Sequence, residues 1–200
     1  ILLWKNHKVE AGLLFVTFFV TITVGMTQGI GVGVGLSIAV LVFKQMRPHF
    51  AELGEIEGVF RNVKRFENAV VREDLLIVRF DASVNFANHR FLNYSIKNLI
   101  DSRKGKIDTI ILCAESIGYI DASGLAGLEN LIDDLEKRGI DFRLSAAIGP
   151  VRDVIGTSEL MNKIGKTRCF TSIATAIEDI DNPGSLGEGL RKIATQESKE

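Results

Sequence analysis

The N-terminal part of the chain carries a long, uninterrupted apolar stretch. No charged residue occurs between Ala11 and Phe43, and a single straight helix of that length would reach about 50 Å, well beyond the roughly 30 Å of a hydrocarbon core. Gly25, Gln28 and Gly29 offer a break near the middle, which leaves two apolar arms at 11–24 and 30–43. The pattern therefore predicts that residues 1–46 form a membrane segment, folded as a hairpin of two short helices.

Basic residues flank this stretch on both sides. Lys5 and Lys8 precede it, Lys44 and Arg47 follow it, and the middle has no charge. Because basic residues concentrate on the cytoplasmic side of membrane helices, both ends of the hairpin are expected to face the cytoplasm.

The glycines of the stretch are better explained by helix packing than by ligand binding. Gly25, Gly29 and Gly33 recur every four residues, as small residues do where helix backbones approach closely in lipid. The dinucleotide fingerprint G-x-G-x-x-G would need glycine at the places of Val34 or Leu36.

Beyond Arg47 and Pro48 the chain changes to alternating strand and helix patterns. Residues 47–70 are mixed and charged, which predicts a linker with a first edge strand. Strands are then predicted at 75–80, 83–88, 108–114 and 140–146, helices at 89–103 and 123–137, a helix opening at 149–150, a short element at 169–170 and a last helix at 171–180. This order predicts an α/β domain with a mixed sheet over 71–181. The polar residues 182–200 are predicted to be a disordered tail.

Composition excludes several classes of function. The net charge of −1 gives no basic face for nucleic acid. Cys113 and Cys169 both lie in apolar stretches, so a disulfide framework is not expected and a reducing compartment is favoured. The histidines are scattered without metal-ligand spacing. No constellation of acid, base and nucleophile is present, so the sequence predicts no enzyme, cofactor or metal site.

The candidate site is Ser123, between a buried strand and the helix that it opens. One interpretation is structural: Asp121 or Ser123 caps the helix. The other is functional: the serine is an exposed phosphoacceptor, because a helix N-terminus favours an anion. Capping and phosphorylation are compatible, and the sequence leaves both open.

Several segments in a fixed order carry a family resemblance. An apolar glycine-rich hairpin is followed by Leu53-Gly54, by RFDASVNFAN at 79–88 and by IDASGLAGL at 120–128. The whole resembles the C-terminal end of the SulP family of anion transporters, and the soluble part is similar to their STAS domain, which bacterial anti-sigma factor antagonists share. In those antagonists a partner kinase phosphorylates the serine before the glycine of the second motif. The resemblance therefore implies a regulatory site at Ser123 with Asp121 and Gly124.

The resemblance also implies a function for the complete protein. Relatives of this type are dimeric secondary transporters of sulfate, related oxyanions, bicarbonate or dicarboxylates, with the anion site in membrane helices upstream of this sequence. The chain, which begins with Ile1, is then expected to be a fragment of a multi-pass protein of the cell (inner) membrane. Its STAS domain would be cytoplasmic and serve regulation, assembly or protein interaction, so membrane lipid, a second copy and a cytoplasmic regulatory protein are the expected partners. The alternative is a membrane-tethered STAS signalling module of the antagonist type that transports nothing.

Overall fold

The computed structural model describes residues 8–103 and 106–183, and the chain divides into two units, Ile1–Arg47 and Pro48–Glu200. The first unit consists of helices α1, Lys8–Thr23, and α2, Met26–Met46. Gly25 separates them with a φ of +136°, a conformation that residues with a side chain rarely adopt. The predicted break is therefore confirmed at Gly25, but Gln28 and Gly29 lie inside α2.

This shift changes the lengths of the two arms. The sequence predicted that both would be a little short for a full crossing. Because the break lies earlier than expected, α2 has 21 residues and rises about 31 Å, whereas α1 has 16 and rises about 24 Å. Within the described residues, α2 is the helix that is long and apolar enough to cross a membrane, by length and composition alone.

Small residues pack α1 against α2. A Cβ added to Gly29 would lie 2.8 Å from the Cα of Thr21, and one added to Gly33 would lie 3.0 Å from Thr17. The Lys44 Nζ donates to Glu10 Oε1 at 2.8 Å near the other end of the pair. The packing role predicted for these glycines holds for Gly29 and Gly33.

The second unit contains a six-stranded mixed sheet in the order β2-β1-β3-β4-β5-β6. The strands are β1 Phe50–Ile56, β2 Val59–Asn62, β3 Leu75–Phe80, β4 Thr109–Cys113, β5 Asp141–Ser145 and β6 Cys169–Phe170. Strand β1 is antiparallel to both its neighbours, and β3 to β6 are parallel. The predicted mixed α/β sheet is confirmed.

Residues 47–70 correct the prediction of a linker with one edge strand. Within them, β1 and β2 form a hairpin, in which β1 is internal to the sheet and β2 is its edge. The turn between them has a positive φ at both Glu57 and Gly58, and such turns match the twist of a hairpin.

Helices cover both faces of the sheet. They are α3 His89–Ser102, α4 Ala122–Lys137, α5 Gly149–Gly156, α6 Glu159–Ile164 and α7 Ile173–Asp181, with a 3₁₀ turn at Lys166–Arg168. The larger core lies under α3 to α6, and a smaller core lies between the other face and α7. The sequence did not predict α6 or the 3₁₀ turn. The predicted tail lies outside the described residues from 184 onward.

The predicted strand at 83–88 is wrong. Only Val84 pairs there, in an isolated bridge with Ile120. Asn85 Oδ1 accepts from the Ala87 amide at 3.0 Å, and Asn88 Oδ1 accepts from the Asn85 amide at 2.9 Å. These side chains compete for backbone hydrogen bonds and turn the chain into α3.

Candidate functional site

The two sequence motifs meet at one edge of the sheet. Strands β3 and β4 are parallel neighbours, so the loops that follow them start at the same edge. The Val84 amide donates to Tyr119 O, and the Asp121 amide donates to Val84 O, each at 3.1 Å. The candidate site consists of these two loops and the first turn of α4.

Asp121 joins the two loops with its two carboxylate oxygens. Oδ1 accepts from the Gly124 amide at 2.7 Å and Oδ2 accepts from the Phe86 amide at 2.9 Å. Asp121 is the residue that caps α4. Of the two capping candidates in the sequence, the structure therefore selects Asp121 rather than Ser123.

Ser123 is the second residue of α4 and is exposed. Its hydroxyl has no hydrogen-bond partner in the part of the chain that the structure describes. The first amides of a helix lack intrahelical acceptors and carry the positive end of the helix dipole. A hydroxyl in this position can be reached by another protein, and added negative charge would be electrostatically favoured there.

Two glycines permit the close packing around this turn. A Cβ on Gly124 would lie 2.6 Å from Val84 O, a backbone atom that cannot move away cheaply. A Cβ on Gly127 would lie 2.5 Å from the ring of His89. The glycine of the Asp-x-Ser-Gly motif is thus required where α4 contacts the neighbouring loop.

The loop of residues 85–88 has a buried base and an exposed tip. Asn85 and Asn88 are buried, and Asn88 Nδ2 donates to Ser83 O at 2.9 Å. Phe86 points outward with 67% of its surface exposed, and Tyr119 on the other loop is also exposed. Sequence reasoning placed Phe86 in a strand and missed this surface. The two asparagines, spaced three residues apart, were the available signal for a turn.

A charged group lies where β3 ends. His49 Nδ1 lies 2.7 Å from Asp81 Oδ2, and Arg79 Nε donates to Asp81 Oδ1 at 2.7 Å. Burial raises the pKa of Asp81, but hydrogen bonds from Arg79 and His49 outweigh burial and hold this pKa below its ordinary value. Asp81 therefore stays ionised at neutral pH, and its carboxylate joins Arg79 and His49 at this end of the strand.

Both cysteines are free, as the sequence predicted. Burial raises the pKa of Cys169 to about 11, and it also raises the pKa of Cys113. Since the thiolate is the reactive form, neither thiol is activated. The two loops and the first turn of α4 thus expose the Ser123 hydroxyl and the rings of Phe86 and Tyr119.

Comparison with known proteins agrees with this arrangement. The model of the STAS domain family matches residues 67–176, which is more than half of the chain. The chain belongs to the STAS domain family. The match includes β3 to β6 and both loops of the site, while β1 and β2 precede it.

The curated relatives of this STAS protein are sulfate transporters. Sulfate transporter 3.2 of Arabidopsis thaliana is 28% identical over 189 residues, which cover 90% of this chain and 29% of that protein. A probable sulfate transporter of Mycobacterium tuberculosis is 27% identical over 143 residues, covering 70% of this chain and 26% of that protein. The chain thus spans less than a third of the length of these relatives.

A solved structure shows the same fold. The murine solute carrier 26 family member A9, an anion transporter in its inward-facing state, matches with a TM-score of 0.79 at 22% identity, over 88% of this chain and 29% of that chain. Together, these matches confirm the resemblance to the STAS region of SulP and solute carrier 26 anion transporters. The relatives are transporters, which fits a protein that is not an enzyme.

Proposed function

We propose that this chain is the C-terminal part of a secondary anion transporter and that its STAS domain is a cytoplasmic regulatory module. The observation that carries the proposal is the extent of the likeness to transporters. It covers about nine tenths of this chain, so it extends beyond the second unit into the apolar helix pair. A signalling module of the antagonist type alone would give a likeness to the domain only.

The helix pair supports insertion into a membrane. Large apolar side chains of both helices are exposed, among them Phe18, Phe19, Leu41 and Phe43. Such a surface is unfavourable in water and favourable in lipid. Basic residues at both ends of the pair favour a cytoplasmic location for both.

The transported anion binds elsewhere in this proposal. The apolar stretch from Ala11 to Phe43 contains no charged residue that could hold an anion. The relatives are more than three times as long as their matched part, so the substrate site is assigned to the remainder of the complete protein. Sulfate or a related oxyanion is the proposed substrate, by similarity to the relatives.

Uptake by the complete protein tests this function. Cells that lack their own sulfate uptake should gain saturable uptake of radiolabelled sulfate, bicarbonate or a dicarboxylate when they express it. Uptake should disappear when the complete protein is truncated before Ala11, because the helix pair is then missing. A protein that inserts into the membrane but moves none of these anions would contradict the proposal and favour the tethered signalling module.

Ser123 is proposed as the regulatory site of this module. Its exposure, its free hydroxyl and its position at the helix N-terminus suit a phosphoacceptor. Ser123→Asp should shift transport or partner binding of the complete protein, whereas Ser123→Ala should abolish any incorporation of phosphate from a cytoplasmic kinase fraction. Transport and partner binding at wild-type levels for Ser123→Asp would leave Ser123 without a regulatory role.

A further inference from the structure

The edge hairpin of the sheet carries three basic side chains without partners. Arg61, Lys64 and Arg65 are exposed and make no ion pair within the described residues. This is unusual for the domain, where many other basic residues are paired with carboxylates: Arg72, Arg79, Lys97, Arg103, Arg138, Arg143, Lys163 and Arg168. Arg90 and Lys166 are also exposed without an ion pair among the described residues, but Arg61, Lys64 and Arg65 place three unpaired cations within five residues of the chain.

Apolar side chains accompany these charges. Val59 is 48% exposed and Phe66 is 43% exposed. In the hairpin register, Arg61 pairs with Gly54 and Val59 with Ile56, and directly paired residues point to the same face. Val59 and Arg61 thus share one face of β2, while Phe60 points to the other face and packs against the smaller core.

The acidic residues nearby form no ion pair with these three side chains among the described residues. Glu52 is engaged by the guanidinium of Arg103. Glu55 pairs with Phe60 and so belongs to the opposite face. Glu57 and Glu67 are exposed but form no ion pair with the three basic side chains.

Chain connectivity limits how far this surface can lie from the end of α2. Arg61 lies opposite Gly54, which follows Arg47 by about seven residues. Such a stretch reaches at most about 25 Å when fully extended. If α2 ends at a membrane surface, this length of chain allows the basic residues to reach lipid headgroups.

We propose that residues 59–66, the edge-hairpin surface, bind the anionic headgroup layer of the membrane. The cations of Arg61, Lys64 and Arg65 would contact lipid phosphates, and Val59 and Phe66 would enter the interface between headgroups and acyl chains. Charge complementarity selects an anionic lipid surface as the occupant, since basic residues near such a surface are each worth about a fivefold factor in partition. The inference rests on the proposed membrane placement of the helix pair.

Photo-crosslinking in lipid nanodiscs tests this contact in the full chain. Benzoylphenylalanine replaces Phe66, and the yield of lipid adducts is compared between discs of phosphatidylcholine alone and discs that also contain phosphatidylglycerol. Adducts should form in the anionic discs and should fall at least about fivefold in the neutral discs. They should also fall when the salt is raised towards 1 M, where the screening length shortens to about 3 Å.

Two charge variants test whether lipid contact depends on this surface or only on the total charge of the domain. The triple variant Arg61→Gln, Lys64→Gln, Arg65→Gln should reduce adducts in anionic discs to the level in neutral discs. The control Arg90→Gln, Lys106→Gln, Lys166→Gln removes the same formal charge from exposed positions elsewhere on the domain, of which Lys106 pairs with Asp108 at 3.3 Å, and it should retain the adducts. Equal yields for the two triple variants, or equal yields in neutral and anionic discs, would overturn the proposal.

A second probe shows whether a negative result contradicts this inference alone or also the proposed function. Benzoylphenylalanine in place of Phe18 of α1 should capture lipid in both kinds of disc. Capture at position 18 without capture at position 66 overturns the headgroup contact alone. Failure at position 18 overturns the membrane placement of the helix pair and, with it, the inference.

Discussion

At the residue scale, the carboxylate of Asp121 is the central polar group of the site. It caps α4 through the Gly124 amide and holds the neighbouring loop through the Phe86 amide. A charged acceptor makes stronger hydrogen bonds than a neutral one. The position of the exposed Phe86 ring therefore depends on a residue that lies on the other loop.

Asp121→Ala should open the site locally. Loss of the cap and of the second hydrogen bond should cost about 1–3 kcal/mol, seen as faster hydrogen exchange at the amides of Gly124 and Phe86. Asp121→Asn retains one acceptor oxygen, so it should preserve slow hydrogen exchange at one of the two amides. Ser123→Ala should change this exchange little, because Ser123 is not the cap. Exchange at wild-type rates in Asp121→Ala would contradict the assigned role.

Gly124→Ala should destabilise the domain although alanine favours helices. The added methyl group would meet Val84 O at 2.6 Å, and such overpacking costs about 1–3 kcal/mol. Gly156→Ala is the control, since nothing lies within 4 Å of a Cβ at that helical position, and it should be neutral or stabilise by up to about 1 kcal/mol. Urea unfolding of residues 48–183 measures both variants, and equal stabilities would refute the packing argument.

At the scale of elements, the helix pair has two different glycine faces. Gly29 and Gly33 face Thr21 and Thr17 of α1, whereas Gly31 has nothing within 4 Å. The spacing of every fourth residue predicted the packing face. It could not predict which glycine breaks the helix, because that choice depends on the φ of +136° that Gly25 alone adopts among the described residues of this unit.

Gly29→Leu should separate α1 from α2, and Gly31→Leu should leave them together. The first places a side chain against the Thr21 backbone, and the second extends into open space. Cysteines at positions 10 and 44, where Glu10 and Lys44 now form an ion pair, can report the packing through a bifunctional thiol crosslinker that spans the length of the two replaced side chains. Alanine at positions 113 and 169 removes the native thiols. Equal crosslinking in the two variants would contradict the assigned faces.

The parallel strands were predictable because their patterns are local. Runs such as Leu75–Phe80 and Thr109–Cys113 are mostly apolar, as is typical of strands buried on both faces. The β1–β2 hairpin was not predictable, because β2 is short, exposed and charged. Its pairing also depends on β1. In the candidate site, the helix start at Asp121 and Ser123 was predictable, while the contact between Asp121 and Phe86 arises from tertiary structure.

At the scale of the whole molecule, the second unit depends on its first two strands. Ala51 and Leu53 of β1 complete the smaller core around Leu75 and Ile77. The guanidinium of Arg103 binds Glu52 and donates to the carbonyl oxygens of Arg72 and Leu75 at 2.8 and 2.9 Å. If the domain were cut after β2, Arg103 would lose the carboxylate of Glu52, and β3 would lose the strand that pairs with its edge.

Residues 48–183 should therefore melt as one cooperative unit, and residues 75–181 should not. The shorter piece loses part of a core and leaves a partly buried charge unpaired, which costs about 3 kcal/mol or more. Circular dichroism during heating compares the two pieces. A cooperative transition of the shorter piece within a few degrees of the longer one would show that β1 and β2 are dispensable.

The two hydrogen bonds of Asp121 are expected to form at different times during folding. Its bond to the Gly124 amide spans three positions and can close within one helical turn, whereas its bond to the Phe86 amide spans 35. Contacts between distant residues form only after the intervening chain has been brought together, which slows them. Gly124 should thus gain protection before Phe86 in a pulse-labelled refolding reaction, and the aromatic tip of the site is among the last features that the nascent domain acquires.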